Sequence, residues 1–186
     1  IMINLPNFDA NKFIDKACNF IKETVQNAHC NGVVLGLSGG IDSAVVAFLS
    51  VKALGKENVK GFILPSKTTS KQDLIDAKKV GDELDIPVDT ISIDDFYTNF
   101  INLCNKKNIP QSNNVLASSN VKPRIRMSIL YYYATINNSL VIGTGNKTEK
   151  TSRIAGTWRT SRKSDRDLSD RMCRLYRMWQ EQQPMQ

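Results

Sequence analysis

The stretch Val33-Val34-Leu35-Gly36-Leu37-Ser38-Gly39-Gly40-Ile41-Asp42-Ser43 decides the fold. It opens as a short apolar run, the pattern of a strand buried on both faces of a parallel sheet. It ends in a Ser-Gly-Gly turn. From Ser43 to Leu54 the residues Val45, Val46, Phe48, Leu49 and Val51 mark a helix, with Gly55 where a C-terminal glycine belongs. A strand turning directly into a helix aims bare N–H groups and the positive end of the helix dipole at the turn, a setting that attracts an anion. Two adjacent glycines, Gly39 and Gly40, let backbone approach phosphate oxygens without Cβ collisions, and Ser38 and Ser43 add hydroxyl donors. The turn is not a Walker loop, which requires a lysine, and it lacks the GxGxxG spacing of dinucleotide-binding turns. Asp42 in the first helical turn complements the dipole unaided; beside a bound polyphosphate it would hold Mg²⁺, which takes one or two carboxylates plus phosphate oxygens.

Outward from this turn, helix and strand alternate. Asp9 can cap a helix over about 10–29, with Phe13, Ala17, Ile21, Val25 and Ala28 at helical spacing, and His29 falls at its end. Val59 to Leu64 reads as a second strand closed by Pro65. Ser70-Lys71-Gln72-Asp73 resembles a capping box opening a helix over about 71–84. Pro87 to Ile93 alternates as a third strand, a helix over about 95–106 follows, and 107–118 reads as a polar loop. A helix over about 121–136 carries Ile125, Ile129, Tyr132 and Ile136 on one side, and Ser139 to Gly143 is a fourth strand. The expected fold class is α/β, a doubly wound parallel sheet with right-handed crossovers.

Two further segments carry chemistry. In Asn120-Val121-Lys122-Pro123-Arg124-Ile125-Arg126-Met127, three cations crowd the start of a helix, where each opposes the dipole by roughly 0.3–1 kcal/mol. A bound anion would explain why the sequence accepts that repulsion; a solvated basic face is the plainer alternative. Val141-Ile142-Gly143-Thr144-Gly145-Asn146-Lys147-Thr148-Glu149 leaves the fourth strand. With strand order 3-2-1-4, the ends of strands one and four flank the topological switch point, where ligands bind in open α/β sheets. Asp42 and Glu149 would then face one crevice and form a two-carboxylate Mg²⁺ site. The run Tyr131-Tyr132-Tyr133 reads as core or as a subunit contact.

Composition sets bounds on function. A chain of 186 residues, 41% hydrophobic and 23% charged, has the length of one domain and enough apolar residues for a core, and no apolar run approaches a membrane span. The N-terminal residues lack a signal-peptide pattern, so a cytoplasmic location is expected. Cys18, Cys30, Cys104 and Cys173 are scattered and His29 is the one histidine, which supports neither a disulfide framework nor a zinc site. The formal charge of +7 divides unevenly: residues 1–150 carry +3 and residues 151–186 carry +4. Basic residue type changes at the same place, from 15 Lys and 2 Arg to 1 Lys and 7 Arg. The sequence therefore divides into a domain over 1–150 and a basic, Arg-rich tail over 151–186, where Leu168, Met172, Leu175 and Trp179 could form one apolar stripe. Asp165, Asp167 and Asp170 interrupt its basic face, which argues against nucleic acid.

Taken in order, Ser-Gly-Gly-x-Asp-Ser, Asn-Val-Lys-Pro-Arg-Ile-Arg-Met and Gly-Thr-Gly-Asn-Lys-Thr-Glu resemble the ammonia-dependent NAD⁺ synthetases, within the PP-loop ATP pyrophosphatase superfamily, over about residues 10–150. The resemblance implies an adenine nucleotide alpha hydrolase-like, Rossmann-like three-layer fold lacking its C-terminal elements. It implies a ligase that forms a C–N bond: ATP adenylates the nicotinate carboxylate of deamido-NAD⁺, and ammonia then displaces AMP. By matched position, Gly36, Leu37, Ser38, Gly39, Gly40, Ile41, Asp42 and Ser43 would bind ATP phosphates, with Thr144 also on ATP. Asp42 and Glu149 would hold Mg²⁺, Arg124 would contact deamido-NAD⁺, and the protein would be a homodimer with no covalent nucleophile. The Gly-Tyr, Thr-x-x-Gly-Asp and Tyr-Lys-Thr segments with which the family continues do not occur after residue 150, so the tail reads as foreign to the fold and ATP binding and turnover are expected to be weak. The alternatives are another PP-loop adenylating enzyme, tRNA-modifying or GMP synthetase-like, or a non-catalytic nucleic-acid-binding module with a basic tail. The last would show binding that weakens steeply with salt.

Overall fold

Strand alternation sorts the core into two layers. On β1 (Gly32–Gly36), Val33 and Leu35 point to one face of the sheet and Val34 to the other; on β2 (Val59–Ile63), Val59 and Ile63 share the first face and Phe62 the second. Both strands are buried on both faces because helices cover each side. The structure, a computed structural model, describes residues 10–105 and 114–143. Its remaining elements are α1 (Ala10–Asn27), α2 (Ile41–Leu54), α3 (Lys71–Glu83), β3 (Val88–Thr90), α4 (Asp94–Asn105), α5 (Asn114–Ile136) and β4 (Ser139–Val141), with a short 3₁₀ turn, Lys56–Asn58, before β2.

Four parallel strands run in the order β3-β2-β1-β4, with Val33 opposite Val59 and Leu140, and Gly61 opposite Val88. This is the order on which the placing of the switch point beside strands one and four depended. Ala17, Ile21 and Val25 of α1, Ala47 and Leu49 of α2 and Ala77 of α3 pack on the first face. Ile125, Leu130 and Ala134 of α5, with Tyr97 of α4 beside them, pack on the second around Phe62 and Val34. The result is a three-layer α/β sandwich. The Tyr133 ring stacks on Phe62 with centroids 4.6 Å apart, while Tyr132 next to it is exposed. The tyrosine run is thus part core and part surface. Among the described residues, no helix is long and apolar enough to cross a membrane.

Local signals explain the element ends. Gly55 takes φ +84° and its N–H reaches Val51 O, ending α2. Ser70 takes an extended conformation and its hydroxyl accepts from Asp73 N at 3.0 Å, capping α3. Ser70→Ala is expected to cost about 1 kcal/mol, read as a lower denaturant midpoint at unchanged slope; an unshifted midpoint would show that the cap contributes nothing.

Three expectations are corrected. The third strand is short, Val88–Thr90, although Ile91 N and Ile93 N still bond to Ile63 O and Pro65 O, which carries Ile93 into the core. The fourth strand stops at Val141. The helix expected from 121 begins at Asn114, so 114–118 is helical and Pro123 lies in the helix interior. Lys122, Arg124 and Arg126 therefore stand more than a turn from the helix start and oppose no N-terminal dipole, whose influence dies within the first turn. A proline is tolerated in the interior because the packing of Ile125, Leu130 and Ala134 on the sheet outweighs the hydrogen bond it forgoes. Asp9, the 106–113 part of the expected loop and all of 144–186 lie outside the described residues.

Candidate functional site

At the C-terminal ends of β1, β2 and β4 lies a cavity of about 700 Å³. This is the switch point: the chain steps from β1 to β2 on one side, then crosses back after β3 to place β4 on the other. Its walls are the turn Gly36–Ser43, the end of β2 with Leu64, Pro65, Thr68 and Thr69, the first turn of α3, one face of α5, and Ile142 and Gly143.

The turn is built from its own hydrogen bonds. Ser43 is buried; its hydroxyl donates to Gly40 O at 2.8 Å and accepts from Ser38 N and the Ser38 hydroxyl at 3.3 and 3.1 Å. Ser38 Oγ in turn accepts from Gly40 N at 3.2 Å. The two hydroxyls read from the sequence as ligand donors thus serve the loop's own shape. Gly40, the N-cap of α2, brings no side-chain cap, so the first-turn amides of Ile41 and Asp42 have no intrahelical acceptor. The contrast with α3, whose first turn is capped by Ser70, marks the α2 end as the one open to an anion.

The adjacent glycines differ in purpose. Gly39 takes φ +83°, and a Cβ there would lie 2.4 Å from Asp73 O and 2.7 Å from Asp73 Cα. It is required because α3 packs against the turn. Gly40 has φ −82° and a Cβ there would meet only Ser38 Oγ, at 3.4 Å, so it alone opens backbone to the cavity.

Asp42 and Asp73 both line the cavity. One or two carboxylates beside an anion-binding turn are the donor set Mg²⁺ takes when phosphate oxygens complete its shell. Among the described residues no group of three or more His, Cys, Asp or Glu forms a closed metal cage. Thr144 and Glu149 lie outside the described residues, so the Asp42–Glu149 pairing does too.

Helix α5 turns Pro123, Arg126, Met127 and Leu130 toward the cavity, at helical spacing i, i+3, i+4, i+7. Arg124 does not line it; its Nη1 donates back to Asn120 O within the helix. Asn120 Oδ1 nearby is buried with no hydrogen-bond partner among the described residues. Lys122 Nζ donates to Thr68 Oγ1 at 3.1 Å and sits 5.1 Å from the centroid of the Tyr97 ring. Asp94 accepts from Lys67 N at 2.9 Å, and that N–H holds its carboxyl below the usual carboxylate range. These contacts tie the loop after β2 to α4 and α5. Sequence reading missed Thr68, Thr69 and Asp73. Their signal was topological: order 3-2-1 puts the end of β2 beside the end of β1.

Residues 13–155 match the family model for NAD synthase. The ammonia-dependent NAD⁺ synthetase of Methanocaldococcus jannaschii is 45% identical over 139 residues, covering 74% of this chain and 52% of that protein. The chain spans about half the length of the curated relatives it matches. Among solved structures, the ammonia-dependent NAD synthetase of Campylobacter jejuni, in complex with nitrate ion, superposes with a TM-score of 0.68 at 43% identity, over 77% of this chain and 59% of that one. An NMN synthetase from Francisella tularensis superposes with a TM-score of 0.69 at 38% identity, over 77% and 57%.

Proposed function

Because the chain belongs to the NAD synthase family, we propose that its cavity binds ATP and that the protein amidates deamido-NAD⁺ with ammonia. The observation that carries this is the uncapped start of α2, joined to a glycine turn with Asp42 at its side, at the switch point of the sheet. A carboxylate oxygen of the nicotinate attacks the α-phosphorus, and the bond to the bridging oxygen breaks, its electron pair leaving with pyrophosphate. Ammonia then adds to the acyl carbon, a proton is lost, and AMP departs from the amide. Positioning and charge stabilisation suffice for both steps, with no covalent nucleophile on the protein.

In this reading the residues Gly36 to Ser43 cradle the phosphates, and the turn's internal bonds hold it rigid before ATP arrives. Thr144 contacts ATP. Asp42, with Glu149, would hold Mg²⁺, which when bound would supply positive charge to offset that of the phosphates. Arg124 lies off the ATP cavity, beside a buried Asn120 oxygen, and this supports its assignment to the second substrate, deamido-NAD⁺. Exposed Phe96, Phe100 and Leu103 form one stripe of α4, a surface suited to a second copy of the chain, and the protein is accordingly read as a homodimer. A cytoplasmic location accompanies the reading, and the change from Lys to Arg near residue 150 supports dividing the sequence into a domain over 1–150 and a basic tail over 151–186.

The test is incubation of the 186-residue chain with ATP, Mg²⁺, deamido-NAD⁺ and ammonium, assaying AMP and NAD⁺, with sedimentation equilibrium on the same sample. Slow AMP release that requires deamido-NAD⁺, from a dimer, is expected, since residues 151–186 lack the later segments of the family. ATP binding without AMP release would overturn the activity; no ATP binding would overturn the site; a monomer would overturn the dimer. Replacing deamido-NAD⁺ by nicotinate mononucleotide separates this reading from the activity named for the Francisella relative.

A further inference from the structure

Arg126 is a cationic side chain of the cavity to which the reading above gives no role. Helix α5 crosses the sheet with Leu130 against β1: a Cβ built on Gly36 would lie 3.6 Å from Leu130 Cδ1. One turn earlier on the same face, Arg126 donates its Nε–H to the carbonyl of Leu64 at 2.8 Å. Its guanidinium is therefore tethered at the end of β2, the neighbour of β1, in the cavity that the Gly36–Ser43 turn, Thr68 and Thr69 also line.

Its electrostatics are unusual for a structural arginine. The side chain is half-buried, and burial lowers the guanidinium pKa, with only the more distant Asp94 acting against that. No carboxylate among the described residues lies within ion-pair distance. Nε bonds to Leu64 O, and the two Nη groups carry four further N–H donors in a planar fork. A desolvated cation with a fixed fork, in a cavity with an anion-binding turn, is a site for a bidentate oxyanion.

We propose that Arg126 binds the α-phosphate of the nucleotide, its Nη groups donating to the non-bridging oxygens of ATP and then of AMP. The inference rests on the reading of the cavity as an ATP site. The turn and Asp42 lie at the α2 end and take the two phosphates that leave. Arg126 lies one strand over, toward the end of β2, and the proposal puts the junction of phosphates and nucleoside there. Attack at the α-phosphorus spreads charge onto its equatorial oxygens, and a guanidinium already held by Leu64 needs no reorganisation to meet it. Arg124, two residues away, faces out of this cavity, so the two arginines of α5 serve different substrates.

Calorimetric titration of the full chain with ATP, AMP, adenosine and pyrophosphate tests this. In Arg126→Gln, affinity for ATP and AMP should fall about 10- to 100-fold, the worth of a charge-assisted hydrogen bond or two, while adenosine and pyrophosphate are affected about twofold or less. Arg126→Lys, which keeps the charge but not the fork, should lie between Arg126→Gln and the parent for AMP. If Arg126→Gln does not fold, the AMP-to-adenosine affinity ratio of Arg126→Lys decides alone: a ratio equal to the parent's overturns the proposal. Equal losses for adenosine and AMP would make Arg126 a support of the β2 loop, and a loss confined to pyrophosphate would place it on the leaving group; either overturns the proposal while leaving the ATP site standing. A parent chain that binds none of the four overturns the ATP reading and this inference together.

Discussion

Asp42→Asn is expected to remove the Mg²⁺ dependence of ATP binding and to lower deamido-NAD⁺-dependent AMP release by roughly 100-fold or more, since a metal that neutralises transition-state charge contributes several kcal/mol and each ~1.4 kcal/mol is tenfold in rate. Stability should move far less. Asp42 lies in the first turn of α2, where its charge complements the dipole by about 0.3–1 kcal/mol at most. A large functional loss with a small stability loss is the signature of a ligand-holding carboxylate. Binding measured with and without Mg²⁺ separates the two effects even where turnover is slow. Mg²⁺-dependent ATP binding that survives Asp42→Asn would remove Asp42 from the metal site and leave Asp73, on the same cavity, as the carboxylate to test next.

The second large effect distinguishes two neighbouring glycines. Gly39→Ala should destabilise the protein by on the order of 2–5 kcal/mol, because it adds the cost of a side chain at positive φ to that of overpacking against backbone. The opposing atoms are the carbonyl oxygen and Cα of Asp73, at 2.4 and 2.7 Å, and backbone in a capped helix start cannot move aside cheaply. Gly40→Ala should change stability by less than about 1 kcal/mol, because its φ of −82° suits any residue and its Cβ would meet only the end of Ser38. It should nevertheless weaken ATP binding, since the added methyl stands where backbone meets phosphate. Chemical denaturation and ATP titration of both variants give the result. Equal destabilisation by the two substitutions would refute the packing of α3 on the turn as the reason for Gly39.

Most of the architecture was legible before any coordinates. Val33 to Gly36 as a buried strand, the helix ending at Gly55 and the Ser70 cap all rest on signals a few residues long: apolar runs, a positive-φ glycine, a hydroxyl three residues before an amide. The strand-to-helix turn of Gly36–Ser43 was legible for the same reason, since it needs only a strand, two glycines and a helix start in succession. The start of α5 was not. The polar residues before 121 read as loop, and the helix around Pro123 is held by the burial of Ile125, Leu130 and Ala134 against Phe62 and Val34, which no window of sequence reveals.

Side-chain direction was the other thing hidden. Lys122, Arg124 and Arg126 look alike as a basic cluster, yet a helix turns about 100° per residue, so neighbours two apart cannot share a face. Once α5 is seated on the sheet by its apolar residues, Arg126 falls over the end of β2 and Arg124 does not. The sequence by itself determined the order of elements and the turn that invites phosphate, because those depend on contacts between near neighbours along the chain. Only the tertiary structure decided which cation lines the cavity, why Gly39 must be glycine, and that Thr68, Thr69 and Asp73 join its walls, because each depends on groups that folding alone brings within a few ångströms.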